Sequence, residues 1–199
     1  MRRRARDVYS VRPQHLTQRA IRRQPMFNSD DDRRKYLSIL KQEKEAFDIK
    51  VLAYCLMDNQ VNLVLVPYGE PSNLSRGMRN VHARYSRYFN TRNGYIGNLL
   101  QGRFLSCPMD DASIWNTIRY VERCPAVAGI VNHPSEYQWS SAAFHCGIVA
   151  KNPLLDDPLP EYGRVDNWHA WLAEPHQFRR PKAPGQHRQN RELRLLAHP

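Results

Sequence analysis

Two apolar runs, Ile49–Met57 (IKVLAYCLM) and Gln60–Val66 (QVNLVLV), are separated only by Asp58 and Asn59. Of all the features of this chain, that pair most narrows the folds open to it. Strand-forming runs joined by a two-residue polar connection double back as an antiparallel hairpin. A hairpin this apolar needs other elements packed against it, and the neighbouring sequence supplies them.

Asn28-Ser29-Asp30, backed by Asp31 and Asp32, reads as a helix start, because acids favour the first turn. The helix is expected from about Asp31 to Phe47, with Tyr36, Leu37, Leu40 and Phe47 as its apolar stripe. Pro71-Ser72-Asn73 opens a second helix. There Leu74, Met78, Val81, Tyr85 and Tyr88 recur at spacings of four, three, four and three. A glycine-punctuated loop, TRNGYIGNLLQGRF, leads to a strand expected at Gly102–Met109. Asp110-Asp111 start a third helix through about Arg123, which Pro125 is expected to stop. An initial strand is placed at Val8–Gln18, and Asn167–Ala173 is read as a short amphipathic helix. The fold class that follows is α+β, an antiparallel sheet with packed helices over residues 8–147. A basic arm (1–8) precedes it. A proline-punctuated basic extension (148–199) follows, with a flexible tail at Pro175–Asn190.

Charge narrows the partner. The 199 residues carry a formal net charge of +11, and 24 of the 30 basic residues are arginine. Residues 2–24 hold eight of these against Asp7 alone: Arg2, Arg3, Arg4, Arg6, Arg12, Arg19, Arg22 and Arg23. Between Pro71 and Met109 stand Arg76, Arg79, Arg84, Arg87, Arg92 and Arg103, with no acid among them. Arginine suits bidentate phosphate contact and base stacking, so nucleic acid is the favoured partner over an anionic membrane. No run of eighteen apolar residues exists to span a bilayer, and no apolar region follows the basic N-terminus as in a secretory signal. Cys55, Cys107, Cys124 and Cys146 show no CxxC spacing and read as free thiols of a cytoplasmic protein.

Gln60 and Asn62 share one face of their strand. Neutral amides are weak ligands for hard divalent ions unless carboxylates or phosphate assist, and Asp58 in the turn more naturally bonds its own backbone. Asp30–Asp32 read as a helix-start cluster rather than a metal triad, and His15 and His82 as structural or phosphate-contacting residues. Tyr120 lies on the third helix in line with Asn116 and Cys124. A tyrosine there is ordinarily an anchor, although a metal or base can make it a covalent nucleophile.

Several segments in order are similar to the single-tyrosine, IS200-like transposase family, in the branch associated with repetitive extragenic palindromes. They are HLTQRAIRRQPMF, DDRRKYL, LAYCLMDNQVNLVLVP, LSRGMRNVHARYSRYFNTRNG, LLQGRF and IRYVERCPAVAGIVNHPSEYQWSSA. The resemblance implies a ferredoxin-like (RRM-like) core that cleaves and rejoins single-stranded DNA beside a hairpin, as a monomer or homodimer, through a phosphotyrosine. Tyr120 matches the nucleophile. The family's histidine–apolar–histidine metal motif reads Gln60-Val61-Asn62 here, a preceding proline is Asp58, and an amide ligand one turn after the tyrosine is Cys124. The expectation is therefore a nucleoid-associated binder of single-stranded or hairpin DNA without nuclease activity or cofactor. In the alternative, Tyr120 cleaves with Mg²⁺ or Mn²⁺ held at Gln60 and Asn62 with help from Asp58. A third class is a protein- or RNA-interaction module. Arginines on phosphate would carry the binding, with Tyr85, Tyr88 and Trp139 packing in the core or stacking on bases.

Overall fold

The computed structural model describes residues 12–70, 72–155 and 165–174, so the basic arm with Arg2, Arg3, Arg4 and Arg6, and the tail from 175, lie outside the described residues. The elements are β1 (Gln14–Arg19), α1 (Asp30–Ala46), β2 (Ile49–Met57), β3 (Gln60–Pro67), α2 (Ser72–Asn93), β4 (Leu105–Pro108), α3 (Asp111–Val127), α4 (Ala142–His145) and α5 (Trp168–Ala173). Single 3₁₀ turns occupy Ile21–Arg23 and Pro134–Glu136.

The expected hairpin forms around Asp58-Asn59, with Met57 opposite Gln60 and Cys55 opposite Asn62. β1 then pairs with β3, and β4 with β1, all antiparallel, in the order β2-β3-β1-β4. This is the βαββαβ arrangement with a third helix added after the last strand.

Strand alternation gives the sheet two buried faces. Leu16, Leu56, Val61, Leu63 and Leu65 pack with Tyr36, Leu40, Met78, Val81 and Tyr85 of α1 and α2. Ala53, Cys55, Val64 and Val66 pack with Ile114, Ile118 and Val121 of α3, and with Trp168 and Leu172 of α5. A register shift between Val51 and Ala53 explains why Leu52 and Ala53 both face α3: a bulge inserts one residue and resets the alternation. The far edge of β2 is covered where the Leu56 amide donates to the Trp139 carbonyl at 2.9 Å.

The helix starts follow the sequence reading. Ser29 caps α1 in a reciprocal box with Asp32, whose carboxylate also accepts from the Asn28 amide at 2.8 Å. Asp110 and Ser113 form the same box on α3. Three boundaries differ. β1 begins after Pro13, which has no N–H to give the ladder, and covers 14–19, one residue past the expected Gln18; residues 8–11 of the expected strand lie outside the described residues. β4 spans Leu105–Pro108 and not Gly102–Met109, because the Gly102 amide turns back to the Leu100 carbonyl. α3 runs through Pro125 to Val127. So near a helix end a proline forfeits only one backbone bond, and the Pro125 carbonyl accepts from Ile130 beyond it.

Candidate functional site

The α3-facing side of the sheet carries a row of small polar groups in its apolar surface. Along β1, residues 15, 17 and 19 share that face; along β3, residues 60 and 62 do. Register sets Thr17 opposite Asn62 and Arg19 opposite Gln60. The Thr17 hydroxyl donates to Asn62 Oδ1 at 3.1 Å, and His15 Nε2 lies 3.5 Å from the same hydroxyl. Above them, Asn62 Nδ2 donates to Cys124 Sγ at 3.7 Å, and the thiol donates to the Tyr120 carbonyl at 3.3 Å. The His15 ring meets the edge of Tyr120 at 5.8 Å between centroids. Cys55 completes the row from β2, its thiol pushed well above the usual value by burial, with the neighbouring Cys124 adding to the shift.

Tyr120, Asn62 and Cys124 are thus brought to one place, half-buried Gln60 lies one register step along, and His15 and Thr17 join them. The sequence places His15 on the first strand but carries no link between it and Tyr120. The signal was the alternation of HLTQR, which puts His15 and Thr17 on one face, but only the pairing with β3 says which face.

As a seat for Mg²⁺ or Mn²⁺ the set does not fit. Asn62 is 1% exposed, its oxygen already accepts a hydrogen bond, and the donors beside it are a hydroxyl, a thiol and an imidazole rather than carboxylates. Asp58 is bound to Arg33, whose guanidinium also lies over Phe27 and Trp139. Among the described residues no group of three or more His, Cys, Asp or Glu side chains is placed to hold a metal ion.

The remaining candidates divide by layer. Arg76, Arg79, Arg84 and Arg87 lie on α2, across the sheet from Tyr120. Arg84 is held there by Glu43 at 2.5 Å and Gln42 at 2.6 Å, and Arg76 lies over Phe47. Arg79 and Arg87 are exposed. Arg19 stands on the Tyr120 side, and Arg12 precedes β1. Exposed Arg22, Arg23 and Arg103 project from the loops where β1 ends and β4 begins. His82 meets the Tyr36 hydroxyl at 3.3 Å and the edge of Phe104 at 5.9 Å. Asp30–Asp32 cap α1 and pair with Arg33, Arg34 and Arg92. Tyr85 is fully buried and donates to the Met26 carbonyl, whereas Tyr88 and Trp139 keep part of their rings at the surface.

A four-stranded antiparallel sheet with helices on both faces, and a helix packed over β2 and β3 from which Tyr120 reaches His15 of β1, defines a βαββαβ domain of the α+β class. The chain belongs to the IS200-like transposase family, whose model matches residues 8–124. Its fold is similar to that of a REP-associated tyrosine transposase bound to a REP hairpin, at 14% identity, covering 83% of this chain and 99% of that one with a TM-score of 0.62. A protein of Deinococcus radiodurans described as a candidate transposase matches 61% of this chain and 97% of its own, at 15% identity and a TM-score of 0.41. No curated protein matches the sequence. Among the described residues no helix is long and apolar enough to cross a membrane.

Proposed function

We infer that this chain binds single-stranded or hairpin DNA through its arginines and does not cleave it. The observation that carries this reading is the bonding of Asn62. A position where the family places a metal-binding imidazole holds a buried amide, tied to Thr17 on one side and Cys124 on the other. Without an ion the scissile phosphate loses a contribution of several kcal/mol. Arg119, next in sequence, is 4% exposed, donates to the Glu174 carbonyl at 2.8 Å and lies over Trp171 at 4.9 Å. Binding needs no ion. Exposed Arg22, Arg23, Arg79, Arg87 and Arg103, together with Arg12, Arg19 and the arginine arm, supply phosphate contacts, and binding should weaken steeply with salt. The hairpin held by the structurally similar transposase supports a structured single strand as the target. On this reading the protein acts at the nucleoid as a monomer or homodimer and uses no cofactor.

Covalent capture tests it. Incubated with hairpin-bearing single strands and Mn²⁺, the protein should retain the DNA reversibly, with no adduct surviving denaturation. An adduct that vanishes in Tyr120→Phe would establish the active nuclease instead. Absence of DNA affinity at moderate salt would point to a protein- or RNA-interaction module.

A further inference from the structure

The most exposed large apolar side chain in the described residues is neither on α3 nor on the sheet. Ile96 is 96% exposed, at the tip of the loop between α2 and β4. The loop holding it is well tied. The Tyr95 amide donates to the Asn90 carbonyl at 2.9 Å, and the Asn90 side chain donates to the Gly97 carbonyl, also at 2.9 Å. The Tyr95 hydroxyl donates to Gln24 at 3.1 Å, and the Ile21 amide to the Leu99 carbonyl at 2.9 Å. Gly94 (φ 61°) and Gly97 (φ 117°) flank Ile96 in conformations that favour glycine, and a Cβ at either would meet nothing within 4 Å. Backbone and anchors together present one bare isoleucine on a strip of chain without side-chain cover.

Its surroundings are cationic. Gln24 and Ile21, which anchor the loop, bracket Arg22 and Arg23. Both arginines are exposed, and both sit in the left-handed region (φ 51° and 57°). The far end of the loop bonds the Arg19 carbonyl through Gln101 at 2.8 Å, and exposed Arg103 follows two residues later. Asp31 and Asp32 at the start of α1 are already paired with Arg34 and Arg92. The Asp58 turn lies at the same end of the sheet, its carbonyl accepting from Met26, and its carboxylate is bound to Arg33.

We propose that Ile96 is a wedge that enters a base step of bound DNA where a hairpin stem meets its single-stranded flank, with Arg22, Arg23 and Arg103 seating the phosphates on either side. An apolar tip on a loop whose anchors carry exposed arginines suits nucleic acid, because insertion removes the isoleucine from water while the cations meet the backbone. A stem–flank junction is the cheapest step to open, since its outer base has lost one stacking neighbour. The proposal rests on the DNA-binding reading above and adds where and how the strand is distorted.

The test uses a DNA hairpin with a single-stranded flank and 2-aminopurine at the junction, with affinity and probe emission measured together. Wild type should bind with a rise in emission as the probe unstacks. Ile96→Ala should bind roughly tenfold more weakly and without that rise, and Ile96→Phe should restore both. Arg22→Gln with Arg23→Gln should lower the salt slope by about two while leaving the emission rise in place. Wild-type binding without an emission change, or Ile96→Ala equal to wild type, overturns the wedge and leaves the DNA reading standing. Failure of wild type to bind removes both. If Ile96→Ala alters sedimentation and not DNA affinity, the residue serves a contact between copies and the wedge is wrong.

Discussion

Asn62 shows how much one side chain can decide. Both ends of its amide are engaged, and the same is true of the hydroxyl beneath it. Thr17→Val removes the donor to a buried acceptor and should cost about 1–2 kcal/mol in urea denaturation. If the cluster is structural only, Mn²⁺ should leave the melting temperature of wild type and Thr17→Val unchanged; a metal-dependent rise in wild type would contradict it. Asp58→Asn should cost about 1 kcal/mol, because its partner Arg33 is mostly buried while Asp58 itself is largely exposed. The sequence made the paired amides at 60 and 62 legible, since spacing and residue type are both written in it. It did not show that Asn62 is occupied, because Thr17 and Cys124 are distant in the chain and meet it only through strand register and helix placement.

At the level of elements, Gly77 fixes how closely α2 approaches the start of β2. A Cβ there would lie 2.8 Å from Ile49 Cδ1 and 3.3 Å from Phe47 Cβ. Gly77→Leu should therefore destabilise the fold by about 1–3 kcal/mol despite leucine's better helix propensity, read as a lower urea midpoint. On the other face, α3, α4 and α5 meet at Glu122, which is fully buried. Its carboxylate accepts from Ser141 at 2.5 Å and Trp168 Nε1 at 2.7 Å, with His145 Nδ1 at 2.5 Å. Glu122→Ala strands these partners in an apolar layer and should cost about 3–5 kcal/mol, with exposure of Trp168 seen as a red shift in fluorescence. An unchanged midpoint and spectrum would show that α5 is not held there. The short helix at 168–173 was legible from its amphipathic pattern, whereas its anchor was not, because Glu122 sits among residues that read as an exposed polar stretch.

Across the whole molecule the buried hydroxyls and thiols set an alkaline limit. Burial raises the phenols of Tyr36, Tyr54 and Tyr85, pushes Tyr137 up to about 12, and raises the Cys146 thiol to about 11. The unfolded chain gives up phenol protons near pH ~10 and thiol protons near ~8.5, so above those values it binds fewer protons than the folded protein. The stability these groups contribute is complete below the unfolded values and is lost as pH climbs toward the folded ones. Melting temperature should fall steeply above about pH 10. Absorbance at 295 nm should show the four buried phenols ionising only as the chain unfolds; early ionisation of all the tyrosines in a folded protein would contradict the burial. Periodicity and turn chemistry in the sequence determined the hairpin and the three long helices, because each depends on neighbours in the chain, and composition alone gave the arginine surplus. Tertiary structure alone decided that the α2 arginines and Tyr120 lie on opposite faces of the sheet. It also decided that Arg84 and Arg119 are held by partners within the fold, and that Ile96 stands bare among arginines. Each of those depends on segments far apart in sequence meeting across a sheet whose order, β2-β3-β1-β4, no local pattern records.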